Sequence, residues 1–307
     1  MKIVFFGNPE FAAKSLEYLN NFNDINIELV VTNPDKKMGR GLVKKKSPVK
    51  KKSLDLSLKI FECNDLKDDI LYHNLKKINA DLFIVIAYKF IPKSIYQLAR
   101  NGAINLHASL LPKYRGASPI QYALLNGEDK TGLTTFFLND KIDRGKIISQ
   151  LEIPIDDLMT FDDLYNKLSF LSKDILKDTI IKIKSGLIYP EIVNNDNNQY
   201  LAPKITKNDY KINWEDTALN IHNKIRAFSY KGAYALYKNK RIKFFDTYYS
   251  SKVISDNNGF FILGDSNNLL IATKTGHLIV NYVQIEGSNK ISANDFMNSN
   301  PNVQKFE

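Results

Sequence analysis

Residues Ala80-Asp81-Leu82-Phe83-Ile84-Val85-Ile86-Ala87-Tyr88 form an almost unbroken apolar run. Such a run fits a strand buried on both faces, as happens where helices cover both sides of a parallel sheet. The rest of the N-terminal half falls in with it. Lys2–Phe6 is a short apolar run ending at Gly7, followed by Pro9 and a helical pattern of Phe11, Ala12, Leu16 and Leu19. This reads as strand, tight turn, helix. Further strands are expected at Ile25–Val31, Gly102–His107, Thr131–Leu138 and Lys146–Ile155, and helices at Ile70–Ile78, Ser118–Leu125 and Phe161–Ile183. The alternation predicts a Rossmann-like α/β domain over residues 1–188.

The pattern changes after Gly186. Residues 189–204 hold Pro190, Pro203 and the polar run Asn194–Gln199, the composition of an interdomain linker. Beyond it, over 205–307, one helix is expected at Ala218–Phe228. Short strands follow at Ala233–Tyr237, Ile242–Tyr249, Phe260–Leu263, Leu269–Ala272 and His277–Ile285, with Gly, Asn and Asp between them. Close spacing of short strands predicts a small β-barrel. A length of 307 residues suits two such domains.

The net charge of +10 points to a polyanionic partner, although a chain rich in Lys, Asn and Ile acquires such a charge from AT-rich coding alone. Its distribution says more: Lys36 to Lys52 carries nine basic residues and no acidic one. The single cysteine, Cys63, rules out an intramolecular disulfide framework and a cysteine-rich zinc site. His73, His107, His222 and His277 are too scattered in sequence to suggest a metal cluster, so no metal is expected. Low cysteine content fits the cytosol. The N-terminal apolar run is too short for a secretory signal, and no segment reaches the roughly 18–20 apolar residues of a membrane span.

The chemistry concentrates in Asn105-Leu106-His107-Ala108-Ser109-Leu110-Leu111-Pro112-Lys113-Tyr114-Arg115-Gly116-Ala117-Ser118-Pro119-Ile120-Gln121. Residues two apart on a strand point to the same side, so Asn105 and His107 project together at a strand end, where open α/β sheets collect their ligands. An amide donor beside an imidazole suits acyl or formyl transfer: the amide stabilises the oxygen that becomes negative, and the imidazole moves protons. Taken alone, an Asn-x-His reads equally as a satisfied histidine at a strand end. A carboxylate from Asn139-Asp140-Lys141-Ile142-Asp143-Arg144-Gly145 would orient the imidazole, although an aspartate in such a loop also serves as a turn residue.

This long segment closely resembles the signature of the 10-formyltetrahydrofolate-dependent formyltransferases. Phe5-Phe6-Gly7-Asn8-Pro9-Glu10-Phe11-Ala12, the 80–88 strand and Ile142-Asp143-Arg144-Gly145 fall in that family's order and spacing. The resemblance implies that Asn105, His107 and Asp143 are the catalytic trio and that Ser109, Leu110, Leu111 and Pro112 contact the folate. It also implies 10-formyltetrahydrofolate as formyl donor, without a metal. The segment from Asn33 to Lys50 looks like the insertion with which the methionyl-tRNA branch reaches the acceptor end of tRNA. That implies initiator Met-tRNA as partner, contacts from Arg40, Lys44, Lys45 and Lys46, a cytoplasmic setting and no obligate protein partner. Glycines flank Arg40, as suits a loop that orders on RNA. Ala202–Ile205, Ile212–Trp214 and Ile225–Phe228 resemble the stretch leading into the family's OB-like domain, with Trp214 read as a packing residue. Lys89 stands where glycine is usual, Arg144 where a small residue is usual, and Ser229–Gly232 replaces a proline-containing turn. The alternatives are a sugar N-formyltransferase, a glycinamide ribonucleotide formyltransferase, which would lack the C-terminal region, and a non-enzymatic RNA-binding module.

Overall fold

The computed structural model describes residues 1–38, 43–186, 200–300 and 305–306. In chain order, the first part runs β1 (Lys2–Gly7), α1 (Glu10–Asn20), β2 (Asn26–Thr32), β3 (Lys36–Met38), β4 (Val43–Lys45), α2 (Pro48–Asp55) and β5 (Ile60–Glu62). It continues with α3 (Asp69–Ile78), β6 (Leu82–Ile86), α4 (Lys93–Tyr96), β7 (Ala103–His107), β8 (Arg115–Gly116) and α5 (Pro119–Leu125). Then come β9 (Lys130–Phe137), β10 (Ile147–Pro154) and α6 (Phe161–Ser185). The second part holds β11 (Leu201–Ala202), α7 (Ala218–Ala227), β12 (Tyr234–Tyr237), β13 (Lys240–Ser250), β14 (Phe261–Leu263), β15 (Leu269–Ala272), β16 (His277–Ile285), β17 (Ile291–Ser292) and α8 (Ala293–Ser299).

A seven-stranded sheet of order β10-β9-β7-β6-β1-β2-β5 carries the Rossmann-like part. Strands β5, β2, β1, β6 and β7 pair in parallel. Every residue of β6 is buried, because Phe83 and Val85 pack into a core with Val4, Phe6, Leu71, Leu75 and Ile95 while Leu82, Ile84 and Ile86 are covered on the opposite face. Strand β9 departs from simple alternation. It runs antiparallel to β7, with His107 opposite Thr134, so β7 is flanked on both sides and its C-terminal end lies well inside the sheet.

The chain divides into two compact units. One comprises 1–119, 131–153 and 165–201, the other 120–130, 154–164 and 202–307. Most of α5 and the turn after β10 thus group with the C-terminal residues. Buried side chains of α7 hold the 154–164 segment of that unit. Arg226 donates from Nη1 to the carbonyls of Asp156 (3.1 Å) and Met159 (3.4 Å). His222 Nε2 bonds the carbonyl of Asp157 at 2.8 Å, and its Nδ1 bonds Thr247 Oγ1 at 2.9 Å. These bonds tie the turn after β10 to α7.

The C-terminal sheet, order β12-β13-β16-β15-β14, is an antiparallel half-barrel of OB-like type. Its core is aromatic: Trp214, Phe228, Phe244, Phe261, Phe296 and Phe306 are all buried, and Trp214 stacks on Phe306. Of the linker expected at 189–204, residues 189–199 lie outside the described residues. Among the described residues no helix is long and apolar enough to cross a membrane.

Candidate active site

His107 closes β7 and is 6% exposed. Its Nε2 lies 2.8 Å from the carbonyl oxygen of Tyr114. A carbonyl can only accept, so Nε2 carries a hydrogen there, and Nδ1 is the ring nitrogen that this contact leaves open. Nδ1 faces Asp143 Oδ2 at 3.9 Å. That separation is too long for a direct hydrogen bond but short enough for the carboxylate to stabilise a positive charge on the ring. The same Oδ2 accepts the Gly116 amide at 2.9 Å, so the carboxylate is held from the segment that also supplies the Tyr114 carbonyl.

The turn that presents Asp143 is shaped by its own sequence. Asn139 accepts the Lys141 amide with its side-chain oxygen and donates its Nδ2 to the Arg144 carbonyl. Asp143 itself adopts a left-handed φ of 50°, a conformation that aspartate tolerates better than most residues. At Gly145 any Cβ would fall 1.5 Å from the Phe137 carbonyl oxygen, so only glycine brings the turn this close to β9. Asn105, two residues before His107, is half-buried and shares the side of β7 on which His107 projects. Its side-chain amide makes no hydrogen bond with any described residue.

After His107 the chain makes a turn whose Leu111–Pro112 peptide is cis. Ser109 and Leu111 are buried, Leu110 is half-buried and Pro112 is exposed. The Ser109 hydroxyl donates to the Lys113 carbonyl at 2.7 Å. Its side chain therefore shapes the turn from inside, and Pro112 is left exposed.

A sequence profile of the formyl transferase family matches residues 1–180, and a profile of the formyl transferase C-terminal domain matches residues 204–301. The chain belongs to the formyl transferase family. The methionyl-tRNA formyltransferase of Thermodesulfovibrio yellowstonii is 39% identical over 96% of this chain and 94% of its own length. That of Flavobacterium johnsoniae is 34% identical over 97% and 96%. Among solved structures, WlaRD, a sugar 3N-formyl transferase with dTDP and 5-N-formyl-THF, aligns with a TM-score of 0.67 at 25% identity. That alignment covers 94% of this chain and 99% of WlaRD.

Several features of this formyl transferase lay beyond the sequence reading. The Tyr114 carbonyl and Gly116 amide are backbone groups, and only the tight Tyr-Arg-Gly spacing after Pro112 hints at them. The basic segment proves to be of two kinds. Lys36–Met38 and Val43–Lys45 form a hairpin whose register sets Lys36 opposite Lys45 and Lys37 opposite Lys44. Lys44, Lys45 and Lys46 are exposed, while Arg40 lies outside the described residues. Lys50, by contrast, is largely buried between Asp35 (2.7 Å) and Glu62 (2.8 Å), and Lys52 pairs with Glu17 at 3.0 Å. These two lysines anchor the base of the segment. Lys89, the departure from glycine, reaches back to the carbonyls of Cys63 (3.1 Å) and Asn64 (2.6 Å). It ties the chain after β6 to the chain after β5.

Proposed function

We propose that this chain transfers the formyl group of 10-formyltetrahydrofolate to the amino group of methionine carried by initiator tRNA, in the cytoplasm and without a protein partner. The observation that carries the chemistry is His107, anchored through Nε2 by the Tyr114 carbonyl and facing Asp143 through Nδ1. The unprotonated methionine amine attacks the formyl carbon, and a C–N bond forms. Asn105 donates to the oxygen that becomes negative. As the intermediate collapses, the bond from the formyl carbon to N10 of the folate breaks. The proton lost by the amine is carried by His107 Nδ1 towards N10, with Asp143 stabilising the transient imidazolium. Preorganised donors of this kind contribute roughly 3–4 kcal/mol each. The Ser109–Pro112 turn takes the folate, and no step requires a metal.

Full-length relatedness to methionyl-tRNA formyltransferases and the exposed Lys44, Lys45 and Lys46 favour tRNA as acceptor. The deciding experiment offers labelled formyl donor to a mixture of charged initiator tRNA and nucleotide-linked amino sugar. Label on Met-tRNA is expected; label on the sugar alone overturns the reading. A salt series sharpens it, since phosphate contacts make affinity fall steeply with salt. Arg40→Lys is expected to impair Met-tRNA formylation more than Lys44→Ala, Lys45→Ala or Lys46→Ala, because only a guanidinium stacks or binds phosphate in bidentate fashion. Folate affinity is expected to stay constant across all four variants.

A further inference from the structure

Thr134 is fully buried in β9, directly opposite His107 in the strand register. Its hydroxyl donates to the Ser109 carbonyl at 2.7 Å and accepts the Leu111 amide at 3.1 Å. It also accepts Gln150 Nε2 at 3.0 Å, and the same Nε2 donates to the Leu111 carbonyl at 2.8 Å. A hydroxyl offers one donor and two acceptor sites, so this one is used to capacity. Two of the three bonds grip the main chain on either side of Leu110. Two residues earlier, a Cβ at Gly132 would come within 2.7 Å of Leu110 Cδ2 and 2.0 Å of the Leu151 carbonyl oxygen. Strand β9 is therefore fitted to the turn both by a hydroxyl that holds its main chain and by a missing side chain that admits Leu110.

We propose that Thr134, braced by Gln150, is a positioning residue that sets the Ser109–Pro112 turn, and with it the formyl donor, against the His107 imidazole. The proposal rests on the reading that this turn takes the donor. Register gives it its force. Because Thr134 is the cross-strand neighbour of His107, turn and imidazole are both referenced to one pair of residues on adjacent strands. A valine in its place would fill the same space and leave the Ser109 carbonyl and Leu111 amide buried without this partner.

The test compares Thr134→Val, Thr134→Ser and Gln150→Leu with the parent. It measures the dissociation constant for 5-formyltetrahydrofolate and, in formylation, kcat and the KM of each substrate. Thr134→Val is expected to weaken 5-formyltetrahydrofolate binding by about tenfold to a hundredfold, the cost of orphaning buried polar groups. The donor KM should rise with it and the Met-tRNA KM stay put. Thr134→Ser keeps the oxygen and is expected to stay within about threefold of the parent. Gln150 is exposed, so Gln150→Leu leaves folding intact and should show the same pattern at smaller size. A folded Thr134→Val with parental affinity, an equal rise in both KM values, or a serine variant no better than valine overturns the proposal. If Thr134→Val does not fold, an unchanged dissociation constant for Gln150→Leu overturns it. A parent that binds no 5-formyltetrahydrofolate sinks the donor reading and the proposal together, whereas a binding parent with unaffected variants sinks the proposal alone.

Discussion

His107 and His222 are matched in burial and in one of their two ring contacts. Each is at most 6% exposed, and each meets a backbone carbonyl at 2.8 Å through Nε2, Tyr114 in one case and Asp157 in the other. They differ at Nδ1. In His222 that atom is closed off by the Thr247 hydroxyl at 2.9 Å, leaving a neutral ring with both nitrogens satisfied. In His107 it looks across 3.9 Å to a carboxylate that is itself fixed by a backbone amide. Burial and anchoring are thus common to a histidine that staples a turn and to the one proposed to move protons. What separates them is whether the second nitrogen is already occupied and whether a charge waits opposite it.

The largest expected effect would break that comparison outright if it failed to appear. His107→Ala should cut turnover by about a hundredfold or more, with the fold intact, as should Asn105→Ala and Asp143→Ala. Steady-state formylation of Met-tRNA measures it, and near-parental turnover in a folded His107→Ala protein would make the two histidines alike. Of middle size is the converse. His222→Ala strips a partner from Asp157 and from Thr247 and should cost about 1–3 kcal/mol in denaturant unfolding, while turnover per folded molecule is unchanged. A fall in turnover without loss of stability would reverse the assignment.

The smallest effect concerns pH. Burial, with the nearby Arg226 charge adding to it, pushes His222 below the usual histidine range. The unfolded chain therefore takes up this proton first as the solution is acidified. The stability contributed by neutral His222 is fully present above about pH 6.5, the unfolded value, and is lost progressively below it. The slope from one such group is at most about 1.4 kcal/mol per pH unit. Unfolding measured from pH 7.5 down to pH 5 should show a shallower decline for His222→Ala than for the parent; parallel curves would remove His222 from the account.

The fold was legible wherever side-chain periodicity carries it. The run at 80–88 announced a doubly covered central strand, and the short strands between 233 and 285 announced the antiparallel half-barrel. Strand alternation put Asn105 and His107 on one side of β7, whereas Asp143 was singled out by the resemblance of Ile142–Gly145 to the family's motif, and the role of the three as a trio is a proposal. Less visible were contributions that sequence letters do not encode. The Tyr114 carbonyl and Gly116 amide belong to the backbone. Thr134 looks like any threonine in a strand until register sets it beside His107. Lys50 looks like its lysine neighbours until the fold brings Asp35 and Glu62 to it. The grouping of 154–164 with the C-terminal residues was hidden for the same reason, since the donors that hold it, His222 and Arg226, lie on a helix far along the chain.

That last arrangement has a consequence for synthesis on the ribosome. The carbonyls of Asp156 and Asp157 are made 65–70 residues before the side chains that bond them. At about 5–20 residues per second the interval is roughly 3–14 s. During that time the turn after β10 has left the peptidyl-transferase centre while its donors have yet to be translated. The Rossmann-like sheet can be paired in this interval, but its neighbouring segments cannot reach their final partners until α7 has emerged. Completion of the turn after β10 is thereby coupled to translation of α7.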